Sequence, residues 1–275
     1  MGKINSLVAI TGARGFVGSH VTELFTRRRI PFASYTGDIT NAKELQSFMK
    51  RTKPSILLHL AGITDPTAHT VTQVNIAGTC LTLESAWRNG VRKIIFASSC
   101  AVYGKPLHST GSLESDPLLP ESMYGKSKAE AEKIIAQFSG VHKLTAIILR
   151  FTSMYGPDAA KGVIAKLMRS IHATQSITVY GDGTQSRQFL HVSDASEAIY
   201  RSLAYRSSLT VNITTRPVYS VNDLVGILAK KYRFSIRHKP AENDILHTNL
   251  DGELAASALG FTPKHTLLEK ELFAL

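Results

Sequence analysis

The stretch ITGARGFVGSH, residues 10–20, decides the fold of this chain. Three glycines recur in it at every third position: Gly12, Gly15 and Gly18. An apolar, β-branched run before it predicts a buried strand over 7–11, and helical spacing of apolar residues after it predicts a helix over 15–29. A glycine-rich turn between a strand and a helix is the context of a dinucleotide-binding loop.

The glycines have distinct roles in such a loop. Gly12 permits the tight turn, Gly15 lets the backbone approach a pyrophosphate, and Gly18 lets helix and strand pack closely. The free N–H groups at the start of the helix then face the anion. The spacing is G-x-x-G-x-x-G rather than G-x-G-x-x-G, so the loop alone leaves open a glycine-rich turn without a ligand.

The end of the second strand indicates which dinucleotide binds. A carboxylate about 20 residues beyond the glycines usually holds the adenosine ribose, and counting selects Asp38. The strand predicted over 32–35, however, ends at Ser34 and Tyr35 without a carboxylate. A neutral strand end does not repel a 2′-phosphate, and Arg14 would attract one. The sequence therefore favours NADP(H), with NAD(H) possible and a solvated Arg14 as the alternative.

Strands and helices alternate over the first 150 residues. Predicted strands cover 7–11, 32–35, 55–60, 93–98 and 144–150, and predicted helices cover 15–29, 41–51, 71–89 and 122–139. Asn41 is a predicted N-cap, and Gly90 and Gly140 are predicted helix stops. Apolar strands alternating with helices predict an α/β fold with a doubly wound parallel sheet covered on both faces.

The pattern loosens beyond residue 155. Helices are predicted at 162–172, 193–205 and 221–232, an extended segment at 176–180, and a turn in YGDGTQSR. We interpret 1–155 as a dinucleotide-binding domain. Residues 156–275 are interpreted as a smaller, partly interleaved substrate-binding region, with some segments returning to the first sheet. A ligand is expected between the two parts.

Composition excludes several classes of protein. The 275 residues are 43% hydrophobic and 19% charged, as in ordinary globular proteins, and no apolar run approaches the ~18 residues of a membrane helix. The two cysteines, Cys80 and Cys100, form neither a metal-type pair nor a disulfide framework, which favours the reducing cytoplasm. The net charge of +11 is spread along the chain, and an anionic small ligand explains it as well as nucleic acid does. We expect no metal and no membrane or nucleic-acid partner.

Two later stretches carry candidate catalytic residues. FASSCAVYG, residues 96–104, begins in a predicted strand, and YGKSK, residues 124–128, lies near the start of a predicted helix. Tyr124 and Lys128 share a helix face, and a lysine ammonium beside a phenol favours the phenolate. Tyr124 would then exchange a proton near neutral pH while a serine at the strand end holds the substrate oxygen. An exposed Tyr and Lys on a solvated face is the alternative.

The chain resembles the extended short-chain dehydrogenase/reductases, in particular the nucleotide-sugar epimerase/dehydratase family. The matching stretches run in family order over about residues 5–200: TGARGFVG, GDIT, LLHLAG, VNIAGT, FASSCAVYG, YGKSK, LRFTSMYGP and YGDGTQSRQFLHVSDA. The resemblance implies a Rossmann domain with a smaller substrate-binding domain. It also implies hydride transfer to or from a hexose carbon of a nucleotide sugar, as in polysaccharide biosynthesis.

The resemblance also assigns roles to residues. The catalytic triad would be Ser99, Tyr124 and Lys128, with Lys128 also holding the nicotinamide ribose. The implied cofactor-binding residues are Gly12, Arg14, Gly15, Phe16, Val17, Gly18, Tyr35, Asp38, Ile39, Leu60, Ala61, Gly62, Asn75, Tyr124 and Lys128. The implied substrate-binding residues are Thr64, Ser99, Cys100, Tyr124, Ser153, Val179 and Arg187. Arg187 would grip the substrate diphosphate, and Arg14 matches an arginine that GDP-fucose synthases use for the NADP phosphate.

Departures from the family pattern narrow the reaction. Dehydratases carry Asp-Glu where this chain has Cys100 and Ala101, and enzymes that epimerise C3 or C5 carry a cysteine at the position of Ala101. The asparagine of the family's FN-x-YG motif is Ser153 here.

Two reactions remain. One is a 4-ketoreductase that uses NADPH, with Tyr124 as proton donor, and the other is a 4-epimerase that retains NAD. Arg14 favours the reductase. A non-catalytic dinucleotide sensor is a third hypothesis, against which the intact triad argues. The resemblance further implies a homodimer through the helices predicted over 71–89 and 122–139.

Overall fold

The computed structural model describes residues 4–64, 70–240, 247–265 and 269–274. A six-stranded parallel sheet forms its centre. The strands are β1 (Val8–Thr11), β2 (Phe32–Tyr35), β3 (Ile56–His59), β4 (Lys93–Ser99), β5 (Thr145–Phe151) and β9 (Leu209–Ile213). Their order is β2-β1-β3-β4-β5-β9, and every neighbouring pair is parallel. The direction of strand addition reverses at β1, which opens a crevice at the carboxyl edge of the sheet.

The described helices divide into those that cover the two faces of this sheet and those that pack in the C-terminal region. They are α1 (Phe16–Arg27), α2 (Ala42–Thr52), α3 (Gly78–Arg88), α4 (Met123–His142), α5 (Val163–Thr174), α6 (Val192–Ser202), α7 (Val221–Ala229), α8 (Glu253–Leu259) and α9 (Glu269–Phe273). Val8 and Ile10 point to one face, where α1, α6 and α8 pack, and Ala9 points to the other, where α2, α3 and α4 pack. The predicted doubly wound α/β fold is confirmed. None of the described helices is long and apolar enough to cross a membrane.

The remaining strands form two small sheets. In one, β8 (Ser186–His191) lies between β6 (Ser153–Tyr155) and β10 (Val218–Ser220), and in the other β7 (Ser176–Tyr180) pairs with β11 (Ser235–Lys239). With α5 and α7 they enclose a separate apolar core. The chain then returns to the first sheet, because β9 completes it and α6 and α8 pack on its face.

The helix boundaries show one error and one unpredicted feature. Gly140 does not end α4, which continues to His142 and ends at Lys143 in the left-handed conformation (φ 53°). The helix predicted over 71–89 begins as a π-helical turn, Gln73–Ala77, that leads into α3. The N-cap prediction is confirmed, since the Asn41 side chain accepts a hydrogen bond from the Glu44 N–H at 3.2 Å.

Gly18→Ala is expected to lower the free energy of unfolding by about 1–3 kcal/mol. A Cβ at Gly18 would overlap the carbonyl oxygen of Gly12 and lie 2.7 Å from the Cα of Ala13, so α1 would have to move away from β1. Gly140→Ala is the matched control. No atom lies within 4 Å of its added Cβ, and alanine favours a helix by about 0.5–1 kcal/mol. Urea unfolding of both variants measures the difference, and equal midpoints would contradict the close approach.

Candidate active site

The glycine loop closes one end of a groove along the carboxyl edge of the central sheet. Gly12 adopts φ +73°, and a Cβ there would lie 2.6 Å from the backbone nitrogen of Ala61. Gly15 follows as the N-cap of α1, whose first turn has no side-chain cap and no acidic residue. The N–H groups of that turn therefore remain available to an anion.

Most of the predicted cofactor residues come together at this groove. Its lining includes Gly12, Arg14, Gly15, Tyr35, Asp38, Ile39, Ala61 and Gly62. Tyr35 is buried, and its hydroxyl donates to the Asp38 carbonyl at 2.9 Å, so it holds the turn after β2. The exposed Asp38 carboxylate accepts from the Thr40 N–H at 2.8 Å, which lowers its pKa. Phe16, Val17 and Gly18 lie in the first turn of α1, and Leu60 lies next to Gly12 behind the groove.

A hollow beside the groove carries the features expected for an extra phosphate. Arg14, Ser34 and Thr36 all line it, and all three are exposed. The same hollow is bounded by Glu23, whose carboxylate lies 3.9 Å from Arg27 on the next turn of α1. The end of β2 therefore contributes hydroxyl groups to the hollow, the glycine loop contributes the cation of Arg14, and α1 contributes the Glu23 carboxylate.

Asn75 lies in the π-helical turn, a feature that often occurs at functional sites. Its Oδ1 accepts from the Ile63 N–H at 2.8 Å. Its Nδ2 donates to the Ile63 carbonyl at 3.0 Å and to Ser127 Oγ at 2.9 Å. Both amide donors are thus used within the protein. Asn75 ties the loop after β3 to α4, and any bond from it to a cofactor would have to be accepted by Oδ1.

The three candidate catalytic residues converge where β4 ends and α4 begins. Ser99 ends β4, and its side chain lies near enough to the Tyr124 hydroxyl to affect the pKa of that hydroxyl. Lys128 is buried, donates to the Ala97 carbonyl at 2.8 Å and lies 4.5 Å from the centre of the Phe96 ring. The ends of β4 and α4 thus bring two hydroxyl groups to the edge of the groove, where the buried Lys128 ammonium lies close to Gly62.

The pKa of Tyr124 in the structure differs from the value expected from the sequence. Burial of the hydroxyl raises the pKa of Tyr124 to about 12, and the Ser99 side chain acts in the opposite direction. Burial also lowers the pKa of Lys128 to about 8, opposed by the nearby Glu132 carboxylate. The expectation of a Tyr124 pKa near neutrality was therefore wrong for the ligand-free protein, because desolvation outweighs the stabilising groups. At neutral pH, Tyr124 is a phenol that can donate a proton.

The candidate substrate residues are only partly brought together. Cys100 is buried, and the charge of Arg187 acts on it to oppose the rise in pKa that burial causes. The Nε of Arg187 is buried, and no hydrogen-bond partner for it occurs in the part of the chain that the structure describes. Ser153 begins β6, and Thr64 is the last described residue before Thr70.

Val179 does not fit the role given to it. Its side chain is 1% exposed and packs in the core of the C-terminal region. Alternation along β7 places the side chains of Thr178 and Tyr180 on the opposite face. Only the backbone of Val179 remains available to a ligand.

Sequence reasoning missed a buried charged group behind the triad. Glu132 and Arg150 form an ion pair at 2.7 Å, and Ser98 bonds the same carboxylate. Two signals were present: Glu132 follows Lys128 at helical spacing, and Arg150 is a charged residue within the apolar strand TAIILRF. Among the described residues, no group of three or more His, Cys, Asp or Glu side chains could hold a metal ion.

Comparisons with known proteins agree with this geometry. A sequence model of the NAD dependent epimerase/dehydratase family matches residues 8–214. The chain is 29% identical to a putative UDP-glucose 4-epimerase of Methanocaldococcus jannaschii, over 96% of this chain and 95% of that protein. It is 27% identical to a dTDP-4-dehydro-6-deoxyglucose reductase of Escherichia coli, over 93% and 92%. The structure of MoeE5 in complex with UDP-glucuronic acid and NAD superposes with a TM-score of 0.86 at 29% identity, over 97% and 96%.

Proposed function

Because this chain belongs to the NAD dependent epimerase/dehydratase family, we propose that it reduces the C4 ketone of a nucleotide-linked 4-keto sugar, such as a 6-deoxy-4-keto hexose, with NADPH. The observation that carries this proposal is the phenol of Tyr124, which lies beside Ser99 and which burial keeps protonated at neutral pH. A reductase needs such a proton donor from the start of its cycle. The E. coli relative with a reductase name supports the same reaction.

The residues have separate tasks in this reaction. When bound, NADPH would supply the hydride. The Ser99 hydroxyl holds the C4 oxygen of the sugar, and Tyr124 donates its proton to that oxygen as it becomes a hydroxyl. The Lys128 ammonium stabilises the phenolate that remains on Tyr124. Arg187, whose Nε has no hydrogen-bond partner among the described residues, would pair with the diphosphate of the substrate.

Arg14, Ser34 and Thr36 support NADP(H) as the cofactor. The first turn of α1 would hold the pyrophosphate, and the neighbouring hollow would take the 2′-phosphate. Arginine suits this role because its fork can donate two hydrogen bonds to one phosphate.

A 4-epimerase with tightly bound NAD is the second candidate. The M. jannaschii relative carries an epimerase name, and the MoeE5 structure holds NAD with a sugar nucleotide. The exposed Asp38 carboxylate in the groove would suit an unphosphorylated adenosine.

Identification of the cofactor separates the two candidates. The purified protein is denatured and any released nicotinamide nucleotide is identified, and the cofactor-free protein is titrated with NADPH and NADH. We expect an empty protein that prefers NADPH and oxidises it when a 6-deoxy-4-keto sugar nucleotide is added. Stoichiometric NAD, with interconversion of UDP-glucose and UDP-galactose, would replace the reductase by the epimerase.

The rate of reduction is expected to fall above about pH 8. Lys128 has a pKa of about 8, so it is an ammonium below that pH and loses its charge above it. Loss of one essential proton lowers kcat/KM by about tenfold per pH unit. A pH profile of kcat/KM measures this limb, and Lys128→Arg, which stays charged, should move it upward. A profile that stays flat up to about pH 10 would separate Lys128 from the reaction.

The oligomeric state and the cellular location are proposed from the resemblance to the family. We propose a homodimer through α3 and α4, where Trp87 and Phe138 pack edge to face at 6.2 Å and Val141 is 76% exposed. Light scattering on the purified protein tests the dimer. The two unpaired cysteines support the reducing cytoplasm as the working compartment.

A further inference from the structure

The ion pair of Glu132 and Arg150 lies in the interior of the protein. The two side chains are 5% and 7% exposed, and three hydrogen bonds of 2.7–3.1 Å join them. Apolar residues of similar volume often replace a buried ion pair without loss of stability. Stability alone therefore does not explain why charges are placed here.

Glu132 has a second partner on the strand that carries Ser99. The Ser98 hydroxyl donates a short hydrogen bond to Glu132 Oε1. Ser98 lies between Ala97, whose carbonyl accepts from Lys128, and the catalytic candidate Ser99. The Ser98–Glu132 bond thus fixes the end of β4 against α4.

Arg150 holds the carboxylate in place. Its Nη1 donates to the Tyr103 hydroxyl at 2.7 Å and to the Glu114 carbonyl at 3.1 Å. The Tyr103 hydroxyl donates in turn to Asn212 Oδ1 at 2.7 Å. These bonds anchor Arg150 to three separate segments, so the Glu132 carboxylate has one orientation.

Apart from Glu132, few groups near Lys128 can stabilise the positive charge of its ammonium group. From β3 it faces His59, whose pKa burial lowers to about 3, so that imidazole is neutral. From α4 it faces Tyr124 one turn before and Glu132 one turn after. Arg150 lies behind Glu132 and acts in the opposite direction. Among the described groups that act on the pKa of Lys128, Glu132 is the one that raises it.

We propose that Glu132 is a positioning residue of the active site, which holds the strand end bearing Ser99 against the helix bearing Tyr124 and supplies the negative charge that keeps Lys128 an ammonium. The catalytic part of this inference rests on the function proposed above. Its two effects are separable: Ser98 contributes to position only, whereas Glu132 contributes to position and charge.

The charge effect is tested on the whole protein without substrate or cofactor. The protein is labelled with 13C-lysine, the resonance of Lys128 is assigned by its loss in Lys128→Met, and its titration is followed by NMR. Glu132→Gln keeps an acceptor for Ser98 but leaves Arg150 without a counter-charge. The double variant Glu132→Gln/Arg150→Met removes both charges together. If one of the two variants fails to fold, the titration of Lys128 is measured in the other.

We expect the pKa of Lys128 to fall by about one unit in Glu132→Gln, and by less in the double variant because the opposing charge of Arg150 is lost together with that of Glu132. Ser98→Ala should leave that titration in place but slow single-turnover hydride transfer by about tenfold, because the strand end loses its tether. Glu130→Gln is the control: it removes the same charge from the same helix at a side chain that is 46% exposed and 3.9 Å from Lys133. It should change neither measurement.

Two results would overturn the proposal. An unchanged Lys128 titration in the folded Glu132 variant would remove the charge effect. A wild-type rate in Ser98→Ala would remove the tether. If no substrate is reduced at all, the proposed function fails, yet the lysine titration still decides the role of Glu132.

Discussion

Tyr124→Phe is expected to lower the rate of C4 ketone reduction by about a thousandfold while changing NADPH affinity little. The substitution removes only the hydroxyl, which lies beside Ser99, and keeps the aromatic ring. A positioned proton donor contributes about 10²–10⁴-fold to a rate. Single-turnover reduction, followed by the loss of NADPH absorbance, measures the chemical step, and a fluorescence titration measures NADPH binding.

Tyr200→Phe is the matched control for this variant. Tyr200 lies on α6, where the Arg28 guanidinium stacks 4.0 Å above its ring, a contact that phenylalanine preserves. The control should reduce substrate at the wild-type rate. If Tyr124→Phe does the same, another group donates the proton and the proposed mechanism fails.

Arg14→Ala is expected to weaken NADPH binding by about one to two orders of magnitude and to leave NADH binding unchanged. A hydrogen bond to a charged group contributes about 1.5–3 kcal/mol. NADH has no 2′-phosphate, so its complex has no such hydrogen bond to lose when Arg14 is replaced. Titration calorimetry with both cofactors measures the ratio of affinities. Equal losses for the two would place Arg14 at the pyrophosphate instead.

Two further variants sharpen that test. Arg27→Ala removes an exposed arginine from the far end of α1 and should leave both affinities unchanged. Ser34→Asp places a carboxylate in the hollow beside Arg14, where it would repel a 2′-phosphate and accept hydrogen bonds from a ribose. It should shift preference toward NADH. NADPH binding that resists both Arg14→Ala and Ser34→Asp would contradict the assignment of this hollow.

The first half of the fold was predictable because its signals are local. The loop at Gly12, the buried strand before it and the helix after it follow one another without interruption, and β2 was predicted at its observed limits. The strand β9 was not predictable in this way. Its five residues, LTVNI, resemble many short strands, and their place beside β5 depends on contacts with residues far away in sequence.

In the candidate site, too, the local features were predictable from the sequence, whereas the features that depend on distant segments were not. Helical spacing alone brings Tyr124 and Lys128 to one face of α4. The direction of the Tyr124 pKa shift could not be deduced, since it depends on how many distant segments bury the hydroxyl. The inward orientation of Val179 likewise depends on which face of β7 meets α5 and α7.

The return of β9 to the central sheet affects how a newly made chain folds. Proteins are synthesised from the N-terminus at about 5–20 residues per second, and domains generally fold in that order. Here β5 stays an open edge until residue 213 has been added, and the apolar face under α6 and α8 is covered only after residue 259. For several seconds the nascent chain therefore exposes a strand edge and apolar surface on which aggregation can begin. The central sheet cannot be completed on the ribosome before most of the C-terminal region has also been made.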